Sequence, residues 1–350
     1  MGRARNESAK CSKPSDALRL NERTLENKVE TVLDSSLQAI VPFLISNAMA
    51  PQRHHLGIDL GGTRIKAVRV TTPGDLIAEA NLPFEDRNRN WADTIRDFVD
   101  ASSKAHGPLA SIGVSAPGIA APHGRHIAYL PGKLTGLEGL DWTSFLQSAK
   151  PIPVLNDAHA ALLGEVWQGA ARGCRNVFLL TLGTGVGGAT MVDGRLLKGH
   201  LGRAGHLGHL SLNFEGLLDD VGTPGSLENE IGNKSIPLRT DGRFSSTEAL
   251  VTAHRQGDAD ATRIWRRSVR ALAAAIASLV NVLDPEVVIL GGGIARAGAE
   301  LFEPLREDLA EFEWRPGGSQ VRILPAQLGD LAGAYGSAWN GMRNNLGKAD

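Results

Sequence analysis

The sequence predicts an α/β fold, and three observations support this class. From His55 onward, short apolar runs alternate with longer stretches of helical periodicity, which is the order of elements in α/β proteins. Three of these runs, 56–60, 177–182 and 287–290, lead directly into glycine-rich turns. The chain has 350 residues, more than a single core usually supports, so we expect two domains.

Composition argues against several function classes. The formal net charge is −1, which provides no attraction for nucleic acid or for an anionic membrane. Hydrophobic residues make up 42% of the chain and charged residues 21%, as in ordinary globular proteins. The two cysteines, Cys11 and Cys174, are too few for a disulfide framework and suit a reducing compartment. We therefore expect a cytoplasmic protein without nucleic-acid or membrane partners.

Residues 1–53 differ from the rest of the chain and are expected to form an extension that is disordered or partly helical. One amphipathic helix is predicted within 21–34. The apolar strip at 37–50 contains a proline and is shorter than the roughly 20 residues of a membrane span. It ends in Ala-Met-Ala, as a signal-peptidase site does, but acidic residues precede it, so secretion is not expected. A native start at Met49 is an alternative.

The stretch 55–66 predicts a strand, a tight turn and the start of a return strand. Asp59 lies near the end of the first apolar run, and Gly61, Gly62 and Thr63 follow it. Glycine N–H groups can approach a phosphate without a Cβ in the way, and Thr63 adds a hydroxyl donor. Asp59 could hold a magnesium ion, usually through water. The alternative is a plain glycine hairpin with one solvated acid.

Helical periodicity is clearest in two stretches. Residues 91–105 form one predicted helix with Asn90 as its cap, and 267–283 form a second, longer core helix. The segment 245–248 matches a capping box that opens a further helix. A small-residue-rich helix over 329–342 is predicted to close the chain.

A pair of polar residues, Asn156 and Asp157, stands between a short predicted strand at 153–155 and a predicted helix at 158–171. Asn and Asp are favoured helix caps. A carboxylate at a strand end can equally accept a proton from a substrate hydroxyl. Both interpretations stay open, because one residue can cap the helix while the other acts on a substrate.

Two further glycine segments follow predicted buried strands. The first, 183–188, contains the spacing Gly-x-Gly-x-x-Gly, which indicates a dinucleotide fold only when a helix follows. Here a strand at 189–192 follows, so a phosphate-binding hairpin is predicted instead. The second segment, 291–293, consists of three glycines.

His206 and His209 are three residues apart, a spacing that a metal site can use. No cysteine lies near them in the sequence, so they are interpreted as loop histidines. On the residues alone, neither histidine has an assigned role.

Taken in order, these segments resemble the ROK family of sugar kinases and related repressors, within the actin-like ATPase superfamily. The resemblance covers residue 55 to about residue 340. It implies an α/β protein with two actin-like (ribonuclease H-like) ATPase domains flanking a cleft. The implied domains are 54–153 and 154–328, and the closing helix, 329–345, is expected to pack back on the first domain.

The same resemblance implies roles for individual residues. Those implied to hold ATP are Asp59, Gly61, Gly62, Thr63, Lys66, Gly183, Thr184, Gly185, Gly187, Gly291, Gly292 and Gly293. Those implied to contact the sugar are Asn156, Asp157, His206, His209 and Glu228. Asp59 is also the implied magnesium ligand, and Asp157 is the implied catalytic base.

The sugar-binding segment departs from the family pattern in two ways. The family has Glu-x-Gly-His, and this chain has His-x-Gly-His at 206–209, so His206 replaces the acid. The family's zinc site joins the second histidine to three cysteines, and the corresponding positions hold Asp219, Val221 and Ser226. No thiolate remains and Val221 has no ligating side chain, so we expect no structural zinc.

The implied activity is in-line transfer of the γ-phosphoryl group of ATP to a hexose hydroxyl, with ATP and Mg²⁺ as cofactors. Glucose is the first expected substrate, and N-acetylhexosamines, fructose and allose are alternatives. A sugar-binding protein with weak catalysis is another alternative, because His206 departs from the pattern. A ROK repressor is disfavoured, since residues 1–53 are short for a DNA-binding domain and have no basic recognition helix. The expected assembly is a homodimer.

Overall fold

The structure is a computed structural model that describes residues 52–85 and 89–346. It confirms the α/β class, since two mixed sheets pack against helices. Nearly all of the N-terminal extension, including the helix predicted within 21–34, lies outside the described residues.

The first sheet contains the first glycine turn. Its strands are β1 (His54–Leu60), β2 (Arg64–Thr71), β3 (Leu76–Pro83), β4 (Leu109–Ala116) and β7 (Val154–Asn156). They lie in the order β3-β2-β1-β4-β7, with antiparallel hairpins from β1 to β3, β4 parallel to β1 and β7 parallel to β4. The carboxyl ends of β1, β4 and β7 therefore meet at one edge, where α/β sheets bind ligands.

The second sheet repeats this layout. Its strands are β8 (Val177–Leu182), β9 (Val186–Val192), β10 (Arg195–Leu196), β11 (Val287–Gly291) and β12 (Arg322–Pro325). They lie in the order β10-β9-β8-β11-β12, again with antiparallel hairpins on one side and two parallel strands on the other. A separate ribbon consists of β5 (Ile119–Ala120) and β6 (Ile127–Tyr129).

The described part of the chain contains nine α-helices. They are α1 (Asn90–His106), α2 (Trp142–Phe145), α3 (Asp157–Trp167), α4 (Leu227–Ile231), α5 (Ile236–Arg239), α6 (Thr247–Arg255), α7 (Ala259–Leu283), α8 (Ala299–Phe312) and α9 (Ala332–Leu346). None of these helices combines the length and the apolar character that a membrane crossing needs.

Two predicted helix caps are wrong. α1 begins at Asn90 itself, after Arg89 in a left-handed conformation with φ of 60°, and no described side chain caps it. α6 is capped by Ser246, which accepts a hydrogen bond from the Ala249 N–H at 3.1 Å, so the helix starts one residue later than the capping box indicates. The Thr247 N–H is already taken by a side chain from elsewhere in the chain, which fixes this start.

The ends of two other helices also differ from prediction. α3 ends at Trp167, before the predicted residue 171, because the buried Glu165 carboxylate accepts the Ala170 N–H at 2.8 Å and turns the chain. α7 begins earlier than predicted, because Asp258 caps it by accepting from the Ala261 N–H at 2.9 Å. Both differences arise from hydrogen bonds that periodicity does not reveal.

α9 packs against both the first sheet and α3. The backbones are so close that no side chain fits between them at the contact points. A Cβ added at Gly57 on β1 would lie 1.8 Å from the Ala334 carbonyl oxygen. A Cβ added at Gly336 on α9 would lie 1.7 Å from the Ala160 carbonyl oxygen of α3. Glycine at these positions therefore permits a backbone-to-backbone contact that any side chain would separate.

The division into domains at 54–153 and 154–328 stays a prediction. β7 begins at Val154 and is hydrogen-bonded to β4, so it belongs to the first sheet. α9 contacts β1 and β4 of that sheet and also α3. The two sheets are thus connected through the paired helices α3 and α9.

Candidate active site

Asp59 lies near the carboxyl end of β1, in register with Ser115 on β4 and Lys66 on β2. The Ser115 hydroxyl donates to Asp59 Oδ1 at 2.7 Å. Burial raises the pKa of Asp59 to about 6, and the nearby Asp157 carboxylate acts in the same direction against the Ser115 hydrogen bond. A strongly perturbed carboxylate at the ligand-binding edge of a sheet is a functional-site candidate.

The first glycine turn leaves open space beside Asp59. The Gly61 N–H donates to the Arg64 carbonyl oxygen at 2.9 Å, which closes the turn between β1 and β2. Gly62 and Thr63 are exposed, and a Cβ added at Gly62 would meet nothing within 4 Å. The turn therefore has room for a phosphate group.

The beginning of α9 lies directly against Asp59. A Cβ added at Gly333 would lie 2.7 Å from Asp59 Oδ2, so the helix backbone contacts this carboxylate. In the turn before α9, Asp330 Oδ1 lies 3.8 Å from the Lys66 ammonium. Sequence reasoning missed Gly333, although the small-residue spacing of the closing helix was a signal of close packing.

Asn156 is the cap of α3. Its Oδ1 accepts from the N–H groups of Ala158 at 3.0 Å and His159 at 3.3 Å. Its Nδ2 donates to the Gly118 carbonyl oxygen at 2.9 Å, which holds the turn after β4. Of the two interpretations that the sequence left open for this pair, capping is therefore the one that applies to Asn156.

Asp157 is the first residue of α3, directly beyond the carboxyl end of β7. Burial raises the pKa of Asp157, and this outweighs the hydrogen bond from the Ala158 N–H and the influence of His206. Asp59, near the end of β1, and Asp157, directly beyond β7, lie at the same carboxyl edge of the first sheet, with β4 between the two strands. A carboxylate with a raised pKa at such an edge suits a general base.

The second glycine turn joins β8 to β9 and is held by a neighbouring 3₁₀ turn. The Gly183 N–H donates to the Gly185 carbonyl oxygen at 2.9 Å. The carbonyl oxygens of Gly183 and Thr184 accept from the N–H groups of Asn233 and Lys234, each at 2.9 Å. Thr184, at the tip of the turn, stays exposed to solvent.

The Glu228 carboxylate is hydrogen-bonded beside the second glycine turn. Its Oε2 accepts from the Val186 N–H at 2.8 Å. A Cβ added at Gly185 would lie 2.1 Å from the same oxygen, so only glycine permits this approach. Gly187 lies farther along, on β9, where an added Cβ would be 2.4 Å from the Thr181 hydroxyl oxygen. Glu228 thus supports the second glycine turn through Oε2, and its contact with the sugar stays a prediction.

The third glycine segment follows β11. Gly292 has φ of +84°, and a Cβ there would lie 2.3 Å from the Leu182 carbonyl oxygen, so glycine is required. Gly291 ends β11, and Gly293 precedes a 3₁₀ turn at Ile294–Ala297. The second and third glycine segments therefore lie side by side at one edge of the second sheet.

A pocket of about 740 Å³ opens between the second glycine turn, α6 and the turn at Ile294–Ala297. Its volume lies within the usual range for small-molecule and cofactor sites. The Thr247 hydroxyl in its lining is buried and has no hydrogen-bond partner among the described residues, so it is available to a ligand. Sequence reasoning missed this pocket, whose other polar lining includes Asn233, Arg255 and Arg296.

His206 and His209 lie at a 3₁₀ turn, Leu207–His209. His206 Nδ1 lies 2.9 Å from the Arg203 carbonyl oxygen, and since a carbonyl can only accept, Nδ1 carries the proton. Burial lowers the pKa of His206 below its usual 6.5, against the nearby Asp157 carboxylate. The neutral ring therefore presents Nε2 as a hydrogen-bond acceptor.

The residues present fit a magnesium–nucleotide complex. Magnesium is usually bound by one or two carboxylates together with substrate phosphates, and Asp59 beside an open glycine turn provides such a place. Within residues 52–85 and 89–346, no group of three or more His, Cys, Asp or Glu side chains is arranged to hold a metal by itself. The predicted absence of a structural zinc stays a prediction.

Comparison with known proteins identifies the class and the family. Two similar α/β sheets connected by paired helices form the actin-like fold of the ROK sugar kinases. The sequence profile of the ROK family matches residues 55–341. The chain therefore belongs to the ROK family.

Individual relatives are similar over most of their length. Glucokinase from Halalkalibacterium halodurans is 31% identical over 320 residues, which cover 82% of this chain and 94% of that protein. N-acetylmannosamine kinase from Vibrio cholerae serotype O1 is 32% identical over 279 residues, covering 77% and 93%. The crystal structure of a ROK family glucokinase from Streptomyces griseus in complex with glucose and AMPPNP superimposes with a TM-score of 0.68 at 26% identity, covering 83% and 99%.

The raised pKa of Asp59 predicts a pH-dependent stability effect for Asp59→Asn. The folded-state pKa of about 6 lies above the usual 3.8, so ionised Asp59 costs stability above pH 6, and this cost disappears as the pH falls to about 4. Asn keeps an acceptor for Ser115 but carries no charge. We expect the free energy of unfolding, measured by urea denaturation, to rise by roughly 1–3 kcal/mol at pH 8 and to be unchanged at about pH 4.

The matched control is Asp97→Asn, an exposed carboxylate on α1. This control should change the free energy of unfolding by less than about 0.5 kcal/mol at either pH. A loss of stability in Asp59→Asn at pH 8, or an equal gain at both pH values, would contradict the raised pKa of Asp59.

Proposed function

We propose that this chain transfers the γ-phosphoryl group of ATP to a hexose hydroxyl, with Asp157 as general base and glucose as the first candidate substrate. The chain is an ATP-dependent sugar kinase, and its ROK membership and its glucokinase relatives support this class. The observation that most supports the site is that Asp157 and Asp59 lie at the same carboxyl edge of the first sheet. A homodimer and a cytoplasmic location stay predictions.

In the proposed reaction, the sugar hydroxyl oxygen bonds to the γ-phosphorus as the bond to the β–γ bridging oxygen breaks. Asp157 accepts the hydroxyl proton, and its raised pKa favours that transfer. Positioning and charge stabilisation contribute most of the rate in such reactions. Magnesium held by Asp59 would neutralise phosphate charge when bound.

The nucleotide is proposed to lie across both sheets. The first glycine turn and Lys66 would contact its phosphates, together with Gly183, Thr184, Gly185 and Gly187. The pocket beside the glycine segment 291–293 would take the adenosine, and the unpartnered Thr247 hydroxyl supports that placement. Accessible N–H groups and hydroxyls in tight turns are the usual partners of phosphate oxygens.

The sugar is proposed to lie between Asp157 and the turn that carries His206 and His209. A glutamate at position 206 would offer two oxygens to sugar hydroxyls, whereas the neutral His206 ring offers Nε2 alone. The contacts to the sugar therefore differ from the family pattern, and N-acetylhexosamines, fructose and allose remain alternative substrates. The N-acetylmannosamine kinase relative makes the N-acetylhexosamines the second candidate.

The proposed activity is tested by coupled measurement of ADP release with a panel of hexoses and N-acetylhexosamines. We expect one sugar to give a kcat of at least about 1 s⁻¹, the lower range of ordinary enzymes. Glucose should rank first. Binding of a sugar by calorimetry without ADP release from any panel member would instead support the sugar-binding alternative and contradict the kinase proposal.

The base role predicts a specific loss in Asp157→Asn. Removing general-base catalysis should lower kcat by about 10²–10⁴-fold, while the dissociation constant of the sugar, measured by calorimetry, changes little. Asp241→Asn, at an exposed carboxylate within the same predicted domain, 154–328, is the control and should keep wild-type turnover. Near-normal kcat in Asp157→Asn would remove Asp157 from the base role.

A further inference from the structure

The loop between the turn at Leu207–His209 and α4 is organised around one carboxylate. His209 Nδ1 donates to Asp219 Oδ2 at 2.8 Å. Asp219 Oδ1 accepts from the N–H groups of Thr223 at 2.8 Å and Val221 at 3.0 Å. The Asp219 side chain is completely inaccessible to solvent, although the loop lies on the surface.

Apolar packing orders only the beginning of this loop. Leu210 and Leu212 pack against the hydrophobic core beside the second sheet. The large apolar side chains farther along are between 62% and 83% exposed; they are Phe214, Leu217, Leu218 and Val221. A segment without an apolar interior has little hydrophobic stabilisation to offset its conformational entropy. The order of this later part therefore depends on hydrogen bonds, and those of Asp219 connect it to His209.

The Asp219 carboxylate connects a proposed sugar contact to the stretch of chain before α4. On one side it contacts His209, which is a proposed sugar contact. On the other side it accepts the N–H groups of Val221 and Thr223, which lie in the stretch that leads to α4. α4 carries Glu228, whose carboxylate accepts the Val186 N–H beside the second glycine turn. A metal bound by both segments would provide a similar link.

The contact also fixes which nitrogen of His209 carries a proton. Burial acts to raise the pKa of Asp219, but its hydrogen bonds outweigh burial and lower it, so the group is an ionised acceptor. Because a carboxylate can only accept, His209 Nδ1 carries a proton. Nε2 is the nitrogen left for a ligand, on a side chain that is 29% exposed and three residues from His206 in the chain.

We propose that Asp219 is a positioning residue that cross-links this loop by hydrogen bonds and holds His209 as the Nδ1–H tautomer, so that Nε2 accepts a sugar hydroxyl. The part of this proposal that concerns the sugar rests on the proposed kinase function. The cross-link and the tautomer concern the protein alone and can be measured without any substrate.

The Asp219→Asn variant distinguishes the effect of Asp219 on the His209 tautomer from its effect on the order of the loop. Asn keeps an oxygen for the loop N–H groups but presents an NH₂ group to His209 Nδ1, which must then become the acceptor. The proton moves to Nε2, and the acceptor for the sugar is lost. We expect the KM of the sugar to rise about tenfold, the effect of one hydrogen bond. kcat and the KM of ATP should change by less than about twofold.

The direct readout is the pair of ¹⁵N chemical shifts of His209, assigned by the loss of its signals in His209→Gln. We expect a protonated Nδ1 in the wild-type protein and a protonated Nε2 in Asp219→Asn. Asp220→Asn is the control, because Asp220 is adjacent, exposed and paired with Lys234. It should leave both the shifts and the KM of the sugar unchanged.

A double variant tests whether Asp219 acts through His209. In the His209→Gln background, Asp219→Asn should add less than about twofold to the KM of the sugar, because interacting residues are not additive. A protonated Nε2 on His209 in the wild-type protein would overturn the proposal, even if Asp219→Asn failed to fold. Equal KM values for Asp219→Asn and Asp220→Asn, or full additivity with His209→Gln, would also overturn it. If the wild-type protein phosphorylated no sugar, the proposed function would fail, while the ¹⁵N spectra would still decide the tautomer.

Discussion

The contact of α9 with the first sheet and with α3 is the constraint on which the rest of the molecule depends. A Cβ added at Gly113 on β4 would lie 1.9 Å from the Ser337 carbonyl oxygen, and one at Gly164 on α3 would lie 2.2 Å from that of Ala332. The backbones of one helix, two strands and a second helix are thus in direct contact. Because α3 begins with Asp157 and α9 begins against Asp59, this packing determines where both carboxylates lie.

Two carboxylates of this chain, Glu165 and Asp59, differ in the hydrogen-bond partners that they have. Glu165 accepts backbone N–H groups from Ala170, Gln327 and Leu328, and it connects α3 to the turn before α9. Asp59, by contrast, receives one hydroxyl and keeps a raised pKa. A carboxylate that accepts several N–H groups has a structural role. A carboxylate whose negative charge has few hydrogen-bond partners in the protein is a candidate for binding a ligand.

Much of the fold could be predicted from the sequence because periodicity reports the burial of each face. The hairpin at the first glycine turn and the core helix α7 are such cases. Helix ends were less predictable, since the start of α6 depends on an Asn233 side chain that bonds to the Thr247 N–H at 2.7 Å. The pocket beside the third glycine segment was missed for the same reason: its polar residues come from separate segments that only the folded chain brings together.

The claim that backbone contact positions the two carboxylates is tested most directly by Gly336→Ala. The new Cβ would lie 1.7 Å from the Ala160 carbonyl oxygen, so we expect a loss of about 3 kcal/mol in the free energy of unfolding. We also expect lower turnover with the preferred sugar in the molecules that remain folded. Asn344→Ala, at an exposed position on α9, should change stability by less than about 0.5 kcal/mol. Equal stability and equal turnover in the two variants would contradict the account.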